Sequence, residues 1–274
     1  RERSRRPEEI LEEVKGLIAA GCKDITLLGQ NVNSYGKDLG LGVDFADLMA
    51  SIAELPGEFW LRFMTSHPKD ASKKLFDTIA RYPKIAKQFH LPFQSGNDRV
   101  LKAMNRHYTR EEYLKLAHYG REIMPELVLT SDVIVGFPGE TEAEFDELCT
   151  YVKEARFDRF GAFPYSREED TPAYSFPDQI DEQTKQDRYD IIMNTQLGIT
   201  DELNRKKLGK RLTVLCEGFD PVSETHYGRS YADAPEIDGK IFFTAEHRIN
   251  DGEFVTVKIT DVLDYDLYGK VVSE

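Results

Sequence analysis

The first two-thirds of the chain alternates between short apolar, β-branched runs and longer stretches whose apolar residues recur at helical spacing. Strand-like runs fall at Asp24–Gly29, Phe59–Thr65, Gln88–Pro92, Leu127–Val135 and Arg159–Tyr165. Helical spacing marks 7–20, 45–54, 70–81, 109–123 and 141–155, with a short helix over 98–104. The run Leu127–Val135 is apolar at most positions, the pattern of a strand covered on both faces. Repeated strand–helix units build a parallel sheet, because each helix returns the chain to the same end of the next strand. Their number points to a closed or nearly closed (β/α) barrel of TIM type. A full eight-fold barrel needs ~250 residues. Here the repeats end by residue 165, so the barrel is partial.

A second pattern comes after it. Residues 181–207 read as one long charged helix, capped by Asp181, with Ile191, Ile192, Thr195 and Ile199 as its apolar stripe and Gly209 beyond its end. Short alternating strands then fall near 211–217, 226–231, 240–244, 253–260 and 265–272, with Asp238-Gly239 and Asp251-Gly252 among the turns. Five such strands predict a small antiparallel β-barrel of OB-like type. The expected division is therefore an α/β partial barrel over 1–207, including the helix 181–207, and a small β-barrel over 208–274.

Composition narrows the classes. With 40% hydrophobic and 31% charged residues this is an ordinary globular chain. It has no apolar run near the ~18 residues of a membrane span, and its basic, polar opening Arg1–Arg6 is not a secretory leader, so no membrane and a cytoplasmic location are expected. Cys22, Cys149 and Cys216 are odd in number and far apart, which gives neither a disulfide framework nor a metal site, and they are read as structural. The net charge is −13, and residues 210–274 hold 13 Asp or Glu against 7 Lys or Arg. Such a field opposes a phosphate backbone and favours a basic partner.

Candidate chemistry collects at the strand ends. Gly136, Pro138 and Gly139 force a turn after Val135, with Thr141 and Glu144 spaced as a capping box for the next helix. This turn is either a plain connector or a ligand-side loop of the kind α/β folds place at carboxyl ends of strands. Gln30 and Asn31 offer uncharged donors and acceptors that suit an amino acid's carboxylate and ammonium, or equally make a polar loop. His67 before Pro68 reads as structural. Gln94 and Ser95 close the third run, Gly96 permits close backbone approach, and Asn97 or Asp98 caps the helix after it. Arg99 and Arg106 are either solvated helix charges or carboxylate contacts, and Phe163 is either a core ring or the flank of a flat heterocycle. No Ser/His/Asp set, P-loop, GxGxxG or His/Cys cluster is present, so hard chemistry needs a cofactor.

Taken together, "LLGQNVNSYG", "HLPFQSGNDRVLKAMNR" at 90–106, "YTREEY" at 108–113, "SDVIVGFPGETEAEF" at 131–145 and "FGAFPYS" at 160–166 resemble the radical-SAM methylthiotransferases. The C-terminal part resembles that family's TRAM domain. The resemblance implies S-adenosylmethionine as cofactor, one 4Fe–4S cluster that cleaves it and a second that supplies sulfur. It also implies an electron donor such as flavodoxin or ferredoxin. It places Gln30 and Asn31 at the methionine moiety, Gln94 and Ser95 near the methionine or ribose, Arg106 in the cofactor site, and Val135, Gly136 and Phe163 at the adenosine. The family carries its cluster cysteines on a CxxxCxxC loop after the first barrel strand, and that loop is not in this sequence. The opening "RERSRRPEEILEEVK" resembles the family's segment just past the cluster loop, so the expectation is a fragment without cluster ligands, inactive by itself.

Two branches compete. "GQNVNSYG", "TSHPKD" and "HLPFQSG" lean towards MiaB-like enzymes, which modify isopentenyladenosine beside the tRNA anticodon. "RFDRFGAFPYSREEDTPAY", "YGRSYADAPEIDGKIFF" and "DYDLYG" lean towards RimO-like enzymes, which modify an aspartate of a small-subunit ribosomal protein. The acidic small barrel favours the basic ribosomal protein over tRNA. A non-catalytic binding fragment carrying a TRAM domain is the remaining alternative.

Overall fold

The computed structural model describes residues 3–64 and 66–273. In chain order the elements are α1 (Pro7–Ala19), β1 (Asp24–Leu27), α2 (Phe45–Ala53), β2 (Trp60–Phe63), α3 (Lys73–Arg81), β3 (Gln88–His90), α4 (Asp98–Ala103) and α5 (Arg110–Ile123). Beyond them come β4 (Val128–Val135), α6 (Glu142–Ala155), β5 (Arg159–Pro164), α7 (Glu182–Arg205), β6 (Arg211–Asp220), β7 (Thr225–Arg229), β8 (Ile241–Thr244), β9 (Phe254–Leu263) and β10 (Asp266–Val271). The chain forms two compact units, one of residues up to Met64, Lys74–Gln88 and everything from Asp201, the other chiefly Phe89–Thr200.

In the first unit β1 and β2 pair in parallel, from Asp24 opposite Trp60 to Leu27 opposite Phe63. Pro7 opens α1, where its missing N–H and fixed φ suit a first helical residue. Asp44 and Asp47 cap α2 reciprocally. All four β2 residues are buried, and α2 contributes Leu48, Met49 and Ile52 to the core. The five last strands close into a barrel of order β10-β8-β7-β6-β9. Four of its pairings are antiparallel, and the β8–β10 seam is parallel. Register shifts at Cys216/Gly218 and Tyr268/Gly269 mark bulges, which bend strands sharply enough to close a small barrel. Val214, Cys216, Ile241, Phe243, Val257 and Ile259 fill its interior.

This barrel is seated on β1 and β2 by buried charge. The Arg62 guanidinium donates to Asp24 at 2.8 Å, to the Gln88 amide oxygen and Tyr231 carbonyl at 2.6 Å each, and to the Ser230 carbonyl at 3.1 Å. Arg229 donates to Asp24 as well, and to Glu217 at 2.6 Å. Trp60 packs edge-on against Phe254, ring centroids 4.8 Å apart.

In the second unit β4 lies between β3 and β5, and β4–β5 is parallel. One face of this sheet is covered by an aromatic cluster in which the Phe93 ring stacks on Tyr151 at 4.6 Å and on Phe157 at 5.7 Å. The expected capping box forms at Thr141–Glu144, a second one closes at Thr109–Glu112, and Asn97, not Asp98, caps α4. β3 stops at His90, short of the expected Pro92, whose ring nitrogen has no proton for a ladder. The expected helix over 70–81 starts at Lys73 because Pro68–Asp70 makes its own 3-10 turn, and the last expected residue of the Phe59–Thr65 strand lies outside the described residues.

α7 departs most from expectation. Ile192 and Ile199 are buried but Ile191 is half exposed, and the rest of the covered stripe is polar: Lys185, Arg188, Gln196 and Thr200. Its packing partners explain this. Gln196 donates to the Phe157 carbonyl at 2.8 Å, Thr200 to the Asp158 carbonyl at 3.4 Å, and Arg188 to Glu140.

Candidate functional site

In the first unit a cavity of about 390 Å³ opens at the carboxyl end of β1, with Leu28, Gly29, Gln30, Asn31 and Tyr35 in its wall. The loop after β1 is tied down by the amino-terminal segment: the Tyr35 hydroxyl donates to the Arg5 carbonyl at 2.8 Å and the Gly36 N–H to the Ser4 hydroxyl at 3.0 Å. Gln30 is exposed, and Asn31 is half buried ahead of the 3-10 turn Val32–Ser34. Both predicted residues thus line one pocket.

The second unit holds the other predicted residues. Gln94 sits in the left-handed region at φ 71°, unusual for a residue with a side chain. Its N–H donates to the Asp132 carbonyl and its carbonyl accepts from Ile134, both at 3.0 Å, so the strained residue carries β3's pairing past its end. Ser95 is buried and its hydroxyl accepts the Asn97 N–H at 3.4 Å. A Cβ on Gly96 would lie 2.7 Å from Leu148 Cα, so the close approach expected there is made by α6. Arg106 is half buried, and its Nε has no hydrogen-bond partner among the described residues. Burial and then the Arg106 charge hold His67 below the usual imidazole pKa.

Gly136 also has φ 71°, and a Cβ there would lie 2.4 Å from Lys185 Cγ. Its N–H donates to the Glu140 carboxylate at 3.3 Å, which in turn accepts from Arg188 at 2.7 Å. The turn predicted as a cofactor wall is therefore held from behind by α7. Val135 is fully buried, while Ile134 is paired with Phe163 across the β4–β5 register. Phe163 exposes 55% of its surface.

Sequence reasoning missed His90, Asp132, Ile134, Glu140 and Arg188. The signal for the strand residues was present: within the apolar β4 run, Thr130 and Asp132 break the pattern at period two, which assigns them to one face. Nothing in a charged helix marks which arginine turns inward.

In the second unit the Gln94 amide, an arginine with a spare buried donor and an exposed aromatic ring suit a ligand that combines a carboxylate with a flat heterocycle. The model of the Radical SAM superfamily matches residues 1–152, and that of the TRAM domain matches 208–272. The chain belongs to the Radical SAM superfamily. Its fold is similar to that of coproporphyrinogen III oxidase (HemN) from Escherichia coli, at TM-score 0.51 and 16% identity over 71% of this chain and 44% of that one.

Within the superfamily the relatives are methylthiotransferases. The ribosomal protein uS12 methylthiotransferase RimO of Clostridioides difficile is 40% identical over 99% of this chain and 61% of its own length. The tRNA-2-methylthio-N(6)-dimethylallyladenosine synthase of Alkaliphilus oremlandii is 42% identical over 100% of this chain and 57% of its own. The chain thus spans about three fifths of the length of these curated relatives.

The unpaired Arg106 donor and the exposed Phe163 ring fit S-adenosylmethionine. The three cysteines lie apart, Cys22 exposed, Cys149 on α6 and Cys216 in the small barrel's core, and among the described residues no group of three His, Cys, Asp or Glu could hold a metal. No helix among them is long and apolar enough to cross a membrane.

Proposed function

We propose that this chain is the cofactor- and substrate-binding part of a methylthiotransferase that modifies an unactivated carbon, the β-carbon of an aspartate in a basic small-subunit ribosomal protein. In this reading Gln30, Asn31, Gln94, Ser95 and Arg106 hold the methionine and ribose end of S-adenosylmethionine. Gly136, the Val135 backbone and Phe163 flank its adenosine. When bound, that cofactor supplies hydrogen-atom abstraction and a methyl group. The chain's own residues bind and orient it, and reduction comes from a flavodoxin or ferredoxin. The reading includes domain limits of 1–207 and 208–274, two 4Fe–4S clusters held by cysteines that this sequence does not contain, and no activity for the chain by itself.

The observation that carries the choice of substrate lies on the small barrel. The turns leading into β8 and β10 run side by side, with Lys240 N–H donating to Asp266 at 2.7 Å. They expose Ile237, Leu263 and Tyr265 among Glu236, Asp261 and Asp264. An apolar patch rimmed by carboxylates attracts a basic polypeptide and repels a phosphate backbone. The tRNA enzyme is the second reading, favoured by the equal identity to that branch.

Mass spectrometry of tRNA and of ribosomal proteins from a deletion strain tests the choice. Loss of a methylthio mass from the ribosomal protein with tRNA unchanged is the expected result, and the converse overturns it. Absence of iron–sulfur absorption after reconstitution of the full-length protein would end the enzyme reading.

A further inference from the structure

The sheet β3–β4–β5 has one face under the aromatic cluster, to which β4 turns Leu129, Ser131, Val133 and Val135, each at most 1% exposed. A parallel sheet ordinarily carries apolar residues on its other face as well. This one does not. Its second face carries Thr130, Asp132 and Ile134 on β4, His90 beside Thr130, and Gly161 and Phe163 on β5 opposite Asp132 and Ile134. Along this face Ile134 and Phe163 lie nearest the carboxyl ends, and the polar group lies one rung below them, about 7 Å away.

That group is built rather than scattered. His90 Nδ1 lies 2.8 Å from the Thr130 hydroxyl and its Nε2 lies 3.3 Å from Asp132 Oδ2. One ring serves both contacts, with Nδ1 accepting from the Thr130 hydroxyl and Nε2 facing the Asp132 carboxylate. The imidazole is thereby fixed at both nitrogens and fixes the carboxylate in turn. Asp132 keeps 35% and His90 22% of the side chain exposed, so the pair is reachable from that face. The second carboxylate oxygen of Asp132, Oδ1, lies over Gly161, where a Cβ would approach it to 2.7 Å. Any larger residue at 161 would displace the carboxylate. Oδ1 has no hydrogen-bond donor among the described residues.

We propose that Asp132, oriented by His90, is a substrate-gripping residue: its Oδ1 accepts a hydrogen bond from a nitrogen donor flanking the reacting carbon, a main-chain amide or a basic side chain of the substrate polypeptide. This rests on the reading of the chain as a methylthiotransferase that acts on a basic protein. The grip lies one rung below the ring assigned to the adenosine, close enough to fix the reacting carbon relative to the cofactor. A carboxylate oxygen left without a donor suits a cationic or N–H group and opposes a phosphate-bearing strand. His90 touches no substrate in this arrangement and acts through Asp132.

The test uses the reconstituted full-length enzyme with recombinant ribosomal protein uS12 as probe. Asp132→Asn keeps the shape and removes the charge. It is expected to weaken uS12 binding by about tenfold or more, read by fluorescence anisotropy without turnover. In turnover it should raise 5′-deoxyadenosine released per methylthio group formed, because the cofactor is cleaved while the carbon is held loosely, and leave S-adenosylmethionine affinity unchanged. His90→Gln, whose amide can still donate to Asp132, should retain most of the wild-type coupling, and His90→Ala should lose it. Wild-type uS12 affinity and coupling in Asp132→Asn overturn the proposal. So does an equal loss of cofactor affinity, or a loss seen with tRNA in place of uS12. A wild-type enzyme that methylthiolates no uS12 overturns instead the functional reading beneath it.

Discussion

The Arg188 guanidinium donates both to the Glu140 carboxylate, at 2.7 Å, and to the Glu140 main-chain carbonyl, at 3.1 Å, in a place where both side chains are under a tenth exposed. The same carboxylate oxygen accepts the Gly136 N–H, so one helix arginine sets the turn assigned to the cofactor. Burial pushes the Glu140 carboxyl above its usual pKa, against the pull of Arg188. Replacing Arg188 by Met strands a buried carboxylate and is expected to cost about 3 kcal/mol near neutral pH. A group with a raised folded pKa binds protons more tightly folded than unfolded, so the loss in Arg188→Met grows as pH rises through the carboxylate range. Arg188→Met/Glu140→Gln recovers much of it, and urea unfolding of the three proteins at several pH values reads both effects.

Gly136 is required twice over. Its φ of 71° is strained for any residue with a Cβ, and that atom would meet the stem of Lys185, which is itself buried. Gly136→Ala should destabilise the protein by about 1–3 kcal/mol. It should also accelerate amide exchange across 136–140, measured by hydrogen–deuterium exchange.

Much of this turn is legible in the sequence, because Gly136, Pro138, Gly139, Thr141 and Glu144 are local signals with local causes. The strands are legible for the same reason, and so is the small barrel, whose alternation and turn residues are short-range. The hidden part is long-range. Apolar spacing assigns Ile191 to the covered stripe of α7, whereas the main-chain carbonyls at 157 and 158 and the Glu140 carboxylate select Gln196, Thr200 and Arg188. Ile134 escapes notice beside Val135 because the sequence shows that β4 is buried without showing which face is open.

Asp24, Arg62 and Arg229 seat the small barrel through one buried network, and the geometry requires a guanidinium at 62. Its fork reaches Asp24, Gln88, Ser230 and Tyr231 in different directions, and an ammonium cannot cover all four. Arg62→Ala, which leaves Asp24 with Arg229 alone and takes a donor from the Ser230 and Tyr231 carbonyls, should cost about 3–5 kcal/mol. Arg62→Lys should restore less than half of that. Thermal melting gives the ranking, and limited proteolysis should show earlier cleavage within 230–240 in both variants.

Glu144 gives the opposite pH sign to Glu140. Hydrogen bonds from Arg99, then from the Thr141 N–H and hydroxyl, hold its carboxyl down to about 2 against the effect of burial. A depressed folded pKa contributes stability that is complete above the ordinary value of 4.5 and is lost as pH falls towards 2. Arg99 is 55% exposed, so solvent screening limits the contribution to about 1–2 kcal/mol. Arg99→Gln should flatten the acid limb of the stability profile between those pH values and change little at pH 7 beyond that amount, as followed by circular dichroism.

Two buried tyrosines in the same cluster should respond oppositely to the loss of a hydroxyl. The Tyr113 hydroxyl donates to the Leu91 carbonyl at 2.6 Å, tying α5 to the end of β3. The Tyr151 hydroxyl is equally buried but has no partner among the described residues. Both phenols are pushed above their ordinary pKa by burial. Tyr113→Phe removes a made hydrogen bond and leaves the Leu91 carbonyl to the Ser131 hydroxyl at 2.8 Å, which should cost about 1 kcal/mol. Tyr151→Phe removes only a desolvated hydroxyl. It keeps the stack on Phe93 at 4.6 Å and the Arg110 guanidinium 5.0 Å from the ring centre. It should therefore be neutral or stabilise by up to about 1 kcal/mol. Equilibrium unfolding of the two variants side by side decides the matter, since destabilisation of Tyr151→Phe to the level of Tyr113→Phe would mean that the Tyr151 hydroxyl is hydrogen-bonded in solution.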